Sequence, residues 1–600
     1  MKTRQRLIVT LLMAFLPMLA SAYDAKVDGI YYNLDASTKT ATVTFKDSNY
    51  GSYSKSVTIP PTVTYGGVIY DVKTIGHHAF WLSEELTAVT IPSSVTTIEK
   101  YAFGCTALTS ITIPGSVKTF GEYIFYFCQE LKKAVFNKGV TIIAQQMFER
   151  CQKLESVTLP STLKTIDWYA FYQCSGLESI TIPEGVTDIK SYAFDSCDNL
   201  RSITFPSTME NVGWYSFAFC DALTSVIVKG NTTINNQAFY SCSDIRVVSL
   251  NCTTIDNWFA GTPLETVTLG NNVQTIGEGA FEGCYNLRSL DIGNQVKTIS
   301  NKAFSGCYNL TYISIPNSVT SIGKEAFYAE GGEFRFFGIG SGVTSVGEKA
   351  FGGSPYSLYY DGSNTAILPS LINKGYLLSV SFGSHVTSIP ANLFSNCGLL
   401  ETVTLSDNVT YIGESAFSDC YYLREFIIPK GVTTIYDKTF MNCPQLIGAY
   451  IGDNVTTIGD KAFYGCYQLQ VVSIGKNVNS IGENAFSDCS QIENVYCYAT
   501  KIPTIHDSSF DFGRMDHATL YVQPSLLSTY SNREPWSSFG TILPIQSGIT
   551  TALEELPQDK VQSSKFKVQS DSWFTIDGRK INGKPTKKGV YIHNGKKVMR

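Results

Sequence analysis

The chain has 600 residues, of which 44% are hydrophobic and only 16% charged, with a net charge of −5. That is ample apolar matter for a core, fewer charges than the usual quarter, and no basic field of the kind that grips nucleic acid. Its sixteen cysteines include no C-x-x-C pair and its six histidines no H-E-x-x-H, so zinc sites lack their ligand spacing.

In chain order, Lys2, Arg4 and Arg6 precede an apolar run from Leu7 to Leu19 and the small residues Ala20-Ser21-Ala22. This is the pattern of a secretory signal, with cleavage expected before Tyr23. No cysteine follows that site, and no later apolar run reaches the ~20 residues that a membrane helix needs. Residues 1–22 are therefore expected to export a chain that does not span a membrane. Residues 23–74 read as a β-rich cap, with strands at Gly29–Tyr32, Ala41–Phe45 and Lys55–Ile59 and a hairpin turn at Tyr65-Gly66-Gly67-Val68.

From residue 75 to 512 one sentence repeats. Cys128, Cys151, Cys174, Cys197 and Cys220 are spaced by 23 residues, as are Cys397, Cys420, Cys443, Cys466 and Cys489. The shared pattern is C-x-x-L-x-x-V/I-x-I-P/G-x-x-V-x-x-I-G-x-x-A-F. Its closing Phe recurs 19 times from Phe80 to Phe510, with one double-length gap after Phe351. In one copy Ile180 and Ile182 share a strand face, Thr181 takes the other, and Pro183 ends the strand because it has no N–H to donate. A lone 23-residue unit cannot bury such a stripe, whereas stacked units can. The expected fold is a mainly β repeat solenoid of 19–20 turns with a parallel sheet. A shortened turn is expected at 251–262. The gap after Phe351 should hide a degenerate turn with Leu378–Phe382 as its strand, and residues 329–376 depart from the pattern.

Residues 513–545 carry the strand Ala518–Val522, then Pro535 and Trp536, and read as a second cap. Residues 546–570, with the near-duplicates Lys560–Ser563 and Lys567–Ser570, read as a linker. From Lys560 onward eleven Lys and Arg face only Asp571 and Asp577, a net of +9 that leaves −14 elsewhere. Within this basic tail, 571–600, Asn594-Gly595 is a tight-turn dipeptide between the hairpin strands Val590–His593 and Lys596–Met599.

The repeat sentence resembles the BspA-like, or treponemal-type, leucine-rich repeat of bacterial surface antigens, over residues 75–512. The resemblance implies a right-handed curved solenoid with its sheet on the concave side. It also implies an extracellular protein that binds host matrix proteins, host receptors or other bacteria. The segment from Trp573 to Arg600 resembles the end of the C-terminal sorting domains of type IX secretion, which implies a route to the cell surface.

No catalytic residue, metal ligand or cofactor site is expected. Gly338-Ile339-Gly340-Ser341-Gly342 stands where other repeats end a strand, with no helix after it, so it reads as a turn and not a phosphate loop. Fourteen cysteines follow a repeat Phe by two or three residues, and a ladder of buried free thiols is expected over disulfides. The outward strand column holds Thr90, Thr112, Thr158, Thr181, Thr204, Thr268 and Thr404. The position after the repeat Leu holds a mixed charge row that includes Glu155, Glu178, Arg201, Arg246 and Glu265.

The candidate binding patch lies two residues before the repeat Phe, at Tyr101, Tyr123, Tyr169, Tyr192 and Tyr215, with Gln146 interrupting and Trp168 and Trp214 alongside. Two roles are open for these rings: contact with a partner, or stacking on each other along the edge. The function read here is non-catalytic recognition by a secreted or cell-surface monomer. Its partner is an extracellular protein of the host or of another bacterium. Glycan capture on the aromatic rows is the alternative.

Overall fold

The computed structural model describes residues 23–546 except 330–333, 353–354 and 373, together with four strands of the C-terminal tail. The signal-like segment 1–22 lies outside the described residues, as does the expected linker beyond Gln546. The fold is a parallel β-solenoid of about 20 turns, roughly 23 residues each, with little helix. It divides into two units, Met1–Leu287 and Arg288–Arg600.

In the first unit, Ala25–Val27, Ile30–Asp35 and Thr40–Thr44 form an antiparallel meander. Thr62–Tyr65 and Val68–Ile75 make a hairpin across Gly66 and Gly67, both at positive φ. Two parallel pairings already start within this segment, because Ser54–Thr58 lies against Glu85–Thr90 and Thr74-Ile75 against Thr97-Ile98. Most later turns contribute a strand of three or four residues and another of two. Ser202–Phe205, Ser225–Val228, Val247–Leu250 and Thr266–Leu269 pair in register, so that Ile203, Val226, Val248 and Val267 point inward in one row. All four are buried. The turn at residues 177–182 differs from expectation. Ile180 and Ile182 are buried on one side as predicted, but the segment makes no strand pairing. Nothing nearby in the structure explains the lapse.

The repeat Phe fills the centre of each turn. Phe80, Phe103, Phe125, Phe148, Phe171, Phe194 and Phe217 stack at centroid separations of 5.0–5.3 Å with nearly parallel rings. Beside them runs the cysteine column. Burial pushes the Cys128 thiol up to about 11, and Cys151, Cys174 and Cys197 well above the ordinary value. None of the sixteen cysteines forms a disulfide. Most thiols of the column donate one turn back to the Phe carbonyl: Cys151 Sγ to Phe125 O at 3.1 Å, Cys174 Sγ to Phe148 O at 3.1 Å. Thr106 and Thr262 replace the thiol in two turns, each hydroxyl donating to the Phe carbonyl of its own turn, Phe103 O at 2.9 Å and Phe259 O at 2.6 Å. The column thus selects a small donor that can be buried.

In the second unit the same Phe ladder runs from Phe394 through Phe417, Phe440, Phe463 and Phe486 to Phe510, at 4.8–5.7 Å. The double-length gap holds two strands, Ser357–Tyr360 and Ser379–Phe382, both in the parallel ladder. Between them the corner Phe is replaced by a short helical stretch, Thr365–Ile367 and Leu368–Leu371, which buries Leu368 and Leu371. At the C-terminal end Thr541–Pro544 continues the ladder from Thr519–Val522. Tyr530, Trp536 and Phe539 are buried there, with Trp536 and Phe539 against Phe510. In the tail, Trp573–Thr575, Lys580–Ile581, Val590–His593 and Lys596–Met599 form one antiparallel sheet.

Candidate functional site

The tyrosine column occupies an unusual backbone position. Tyr101, Tyr123, Gln146, Tyr169, Tyr192 and Tyr215 all have φ between 52° and 60°. That left-handed conformation costs a non-Gly residue about 1–2 kcal/mol. It is held by hydrogen bonds between turns, such as Tyr101 N–H to Glu122 O at 3.0 Å and Tyr192 N–H to Trp214 O at 2.9 Å. The same corner carries Gly279, Asn392 and Asn484 elsewhere, also at positive φ. Lys302, Glu325, Lys438 and Lys461 take this corner too, so the choice of tyrosine here answers to something beyond backbone geometry.

Part of that is stacking. Tyr101 lies on Tyr123 at 4.7 Å, Tyr169 on Tyr192 at 4.7 Å, and Tyr192 on Tyr215 at 5.3 Å, with interplanar angles of 13°, 2° and 10°. Such a pair contributes about 0.5–1.5 kcal/mol, comparable with the backbone cost. The rings are half-buried, and burial raises the pKa of Tyr101, Tyr123 and Tyr169. Lys100 Nζ sits 5.4 Å and 5.3 Å from the Tyr101 and Tyr123 centroids, a cation–π arrangement. The structure thus brings the predicted tyrosines together in two stacks, on either side of Gln146. Trp168 and Trp214 are 51% and 56% exposed and belong to neither stack.

The aromatic band is wider than the sequence reading made it. Trp81, Tyr126, Tyr172 and Tyr240 follow a repeat Phe directly. Tyr126, Tyr172 and Tyr240 pack edge-on against Tyr123, Tyr169 and Tyr215, and Trp81 edge-on against Tyr101. His78 stacks on Tyr101 at 5.3 Å, and burial, with His77 beside it, lowers its pKa to about 4. A column count at the position after Phe would have found these residues. The same position holds Glu149 and Asp195, both buried, with pKa values raised by burial.

The Thr column is exposed at Thr90, Thr112, Thr158, Thr181, Thr268 and Thr404. In the charge row, neighbours pair across turns: Lys132 with Glu155 at 3.4 Å, Arg201 with Glu178 at 3.9 Å, and Arg246 with Glu265 at 3.3 Å. Exposed pairs of this kind contribute little. The second unit carries aromatics on the outward strand column instead. Ile427, Tyr450, Ser473, Tyr496, Tyr521 and Leu543 follow one another across paired strands. Tyr496 stacks on Tyr521 at 4.6 Å, and both belong to an apolar cluster with Val471, Tyr498 and Ile545. The sequence reading followed only the threonines of this column and missed it.

Among the described residues no cluster of side chains could hold a metal ion, and no helix is long and apolar enough to cross a membrane. No curated protein matches the chain. Solved structures that resemble it include a leucine-rich repeat protein from Bacteroides ovatus, 24% identical over 81% of this chain and 99% of that one, with a TM-score of 0.29. Another is a leucine rich cell surface protein from Faecalibacterium prausnitzii, 24% identical over 80% and 94%, TM-score 0.21. A third is the pneumococcal vaccine antigen PcpA, 16% identical over 88% and 100%, TM-score 0.27. No enzyme family is indicated. The model of the BspA type leucine rich repeat region matches residues 54–178, 164–258, 251–359 and 387–515, and the chain belongs to that family.

Proposed function

We propose that this chain is a non-catalytic recognition protein, exported through its N-terminal signal, which engages a host or bacterial protein through the aromatic flank between Trp81 and Tyr240. The observation that carries this reading is the tyrosine at a corner where the backbone favours glycine, combined with Trp168 and Trp214, which stand half exposed beside the stacks. Tyrosine and tryptophan bring large contact area with a polar tip, and they are enriched at the centres of protein interfaces. The four-stranded tail supports a second part of the reading, that residues 571–600 form a separate sorting module of the type IX kind.

The test is binding of the purified chain to immobilised matrix proteins and to a glycan array. A protein ligand whose capture weakens at least tenfold on changing Tyr169, Tyr192 and Tyr215 together to Ser supports the flank. Capture that survives intact removes it. Deleting 571–600 in the native host should leave the solenoid folded and trapped in the periplasm. Unchanged surface display removes the sorting role.

A further inference from the structure

The repeat is shortest at one place. Val248 and Val267, equivalent inward residues of adjacent strands, are 19 residues apart where Ile203 and Val226 are 23 apart. In this turn Trp258 stands where the pattern has Ala before Phe, and it is buried. From Phe80 to Phe217, successive corners are joined by two backbone hydrogen bonds. Phe194 N–H reaches Ser216 O at 2.7 Å and Ser196 N–H reaches Ala218 O at 2.9 Å. Phe217 and Ser216's successors repeat the pair, Phe217 N–H to Ala238 O at 2.8 Å and Phe219 N–H to Tyr240 O at 2.9 Å. Between the corners of Phe239 and Phe259 neither bond forms, and Phe239 N–H and Ser241 N–H find no carbonyl among the described residues. A cavity of about 520 Å³ opens there, lined by both residues and by Trp258. The Trp258 Nε1–H is buried without a partner. Buried donors are nearly always paired, so the Trp258 Nε1–H, at a cavity that also has two backbone N–H groups without a carbonyl partner, calls for an acceptor.

The rest of the lining fixes the chemistry. Tyr240 and Tyr285 are 49% and 48% exposed at the rim, and Asn236 and Asn257 add amides. No Asp, Glu, Lys or Arg lines the cavity. A ligand that suits it is uncharged, carries several hydroxyls that both donate and accept, and offers an apolar face to an aromatic ring. The size falls within the range of small-molecule sites. We propose that this cavity binds a neutral pyranose, a single hexose or N-acetylhexosamine ring at the end of a glycan. The site shares Tyr240 with the aromatic flank but otherwise uses the short turn and not the tyrosine stacks, so Ser243→Trp tests it apart from the protein-binding reading.

The test is saturation-transfer NMR on the full chain with the methyl glycosides of glucose, galactose and mannose, with N-acetylglucosamine, and with sialic acid as the charged control. Transfer to the ring protons of at least one neutral sugar is expected, with none to sialic acid. Tyr240→Phe should keep the signal, Tyr240→Ala should weaken binding at least tenfold, and Ser243→Trp, which puts a ring into the cavity from an exposed position, should abolish it. Ser243→Trp should leave capture of a protein by the flank unchanged, which separates the two readings. The proposal fails if no neutral sugar gives transfer, so that the donors bind only water or a peptide carbonyl. It also fails if transfer persists in both Tyr240→Ala and Ser243→Trp with melting temperatures unchanged.

Discussion

The turns between Tyr101 and Tyr215 and the turns between Ile427 and Leu543 share one core and differ in where they put aromatic rings. In the first set tyrosine takes the left-handed corner and threonine faces out of the sheet. In the second the corner holds Lys438, Lys461 and Asn484 at the same positive φ, and tyrosine faces out of the sheet at Tyr450, Tyr496 and Tyr521. The core columns are the same in both: Phe rings about 5 Å apart and buried thiols. The comparison separates two kinds of constraint. Inward columns are fixed by packing and recur in nearly every turn. Outward columns are not fixed by the core and vary from turn to turn, and where aromatics appear there they stack and cluster with one another.

The largest effect should fall on what the two regions share. Phe194→Ala and Phe463→Ala should each cost about 3–5 kcal/mol, because each ring fills the centre of its turn. Nearest-neighbour coupling should confine the damage to a few turns. Hydrogen exchange that reports equal loss of protection throughout the unit would break the repeat description.

The thiol column comes next. Cys174→Ala should cost about 1–3 kcal/mol, since it leaves the Phe148 carbonyl one donor short and opens a small void. Cys174→Thr should cost less, because the column already holds Thr106 and Thr262, whose buried hydroxyls are satisfied by the Phe carbonyl of their own turn. Equal losses for Ala and Thr in urea unfolding would remove the hydrogen-bonding role. Thiol titration in denaturant without reductant should recover sixteen groups, and few should react before unfolding.

Most of the inward architecture was legible in the sequence, because Cys, Leu, Ile and Phe recur at fixed spacing and each has one physical reason to do so. The left-handed corners were not legible. Tyr192, Lys438 and Ser415 share no side-chain property that announces positive φ, which the bonds between turns impose. The donor role of cysteine was hidden for a similar reason, since burial alone sufficed to explain it. The cavity beside Trp258 could be placed at a shortened turn, but its unpaired donors follow from backbone geometry that no spacing reveals.

The two aromatic surfaces can be set against each other directly. Changing Tyr169, Tyr192 and Tyr215 to Ser should weaken capture of a protein partner at least tenfold, equivalent to about 1.4 kcal/mol. Changing Tyr450 and Tyr521 to Ser should leave it within twofold. The reverse outcome would move the binding surface to the sheet face of the second unit.

The smallest effect concerns Glu149, which lies within the aromatic flank. Its carboxyl is buried, and burial raises its pKa against the opposing influence of Gln146, whose Nε2 donates to Oε2 at 2.9 Å, and of Arg150, 3.8 Å away. A carboxyl whose pKa is higher in the folded state than in the unfolded chain favours folding in its protonated form. Its stabilising share is present below the ordinary carboxylate range and is lost as pH rises through the raised value. Above that, ionised Glu149 is a small standing penalty. Glu149→Gln keeps the size and an acceptor oxygen for Gln146 and cannot ionise. It should therefore melt slightly above the parent at pH 7.5 and together with it at pH 3.5. Asp195, which follows Phe194 as Glu149 follows Phe148, has its pKa raised by burial as well, and Asp195→Asn should show the same kind of pH-dependent gain. A gain for Glu149→Gln of equal size at both pH values would mean that packing, and not the buried charge, distinguishes this corner.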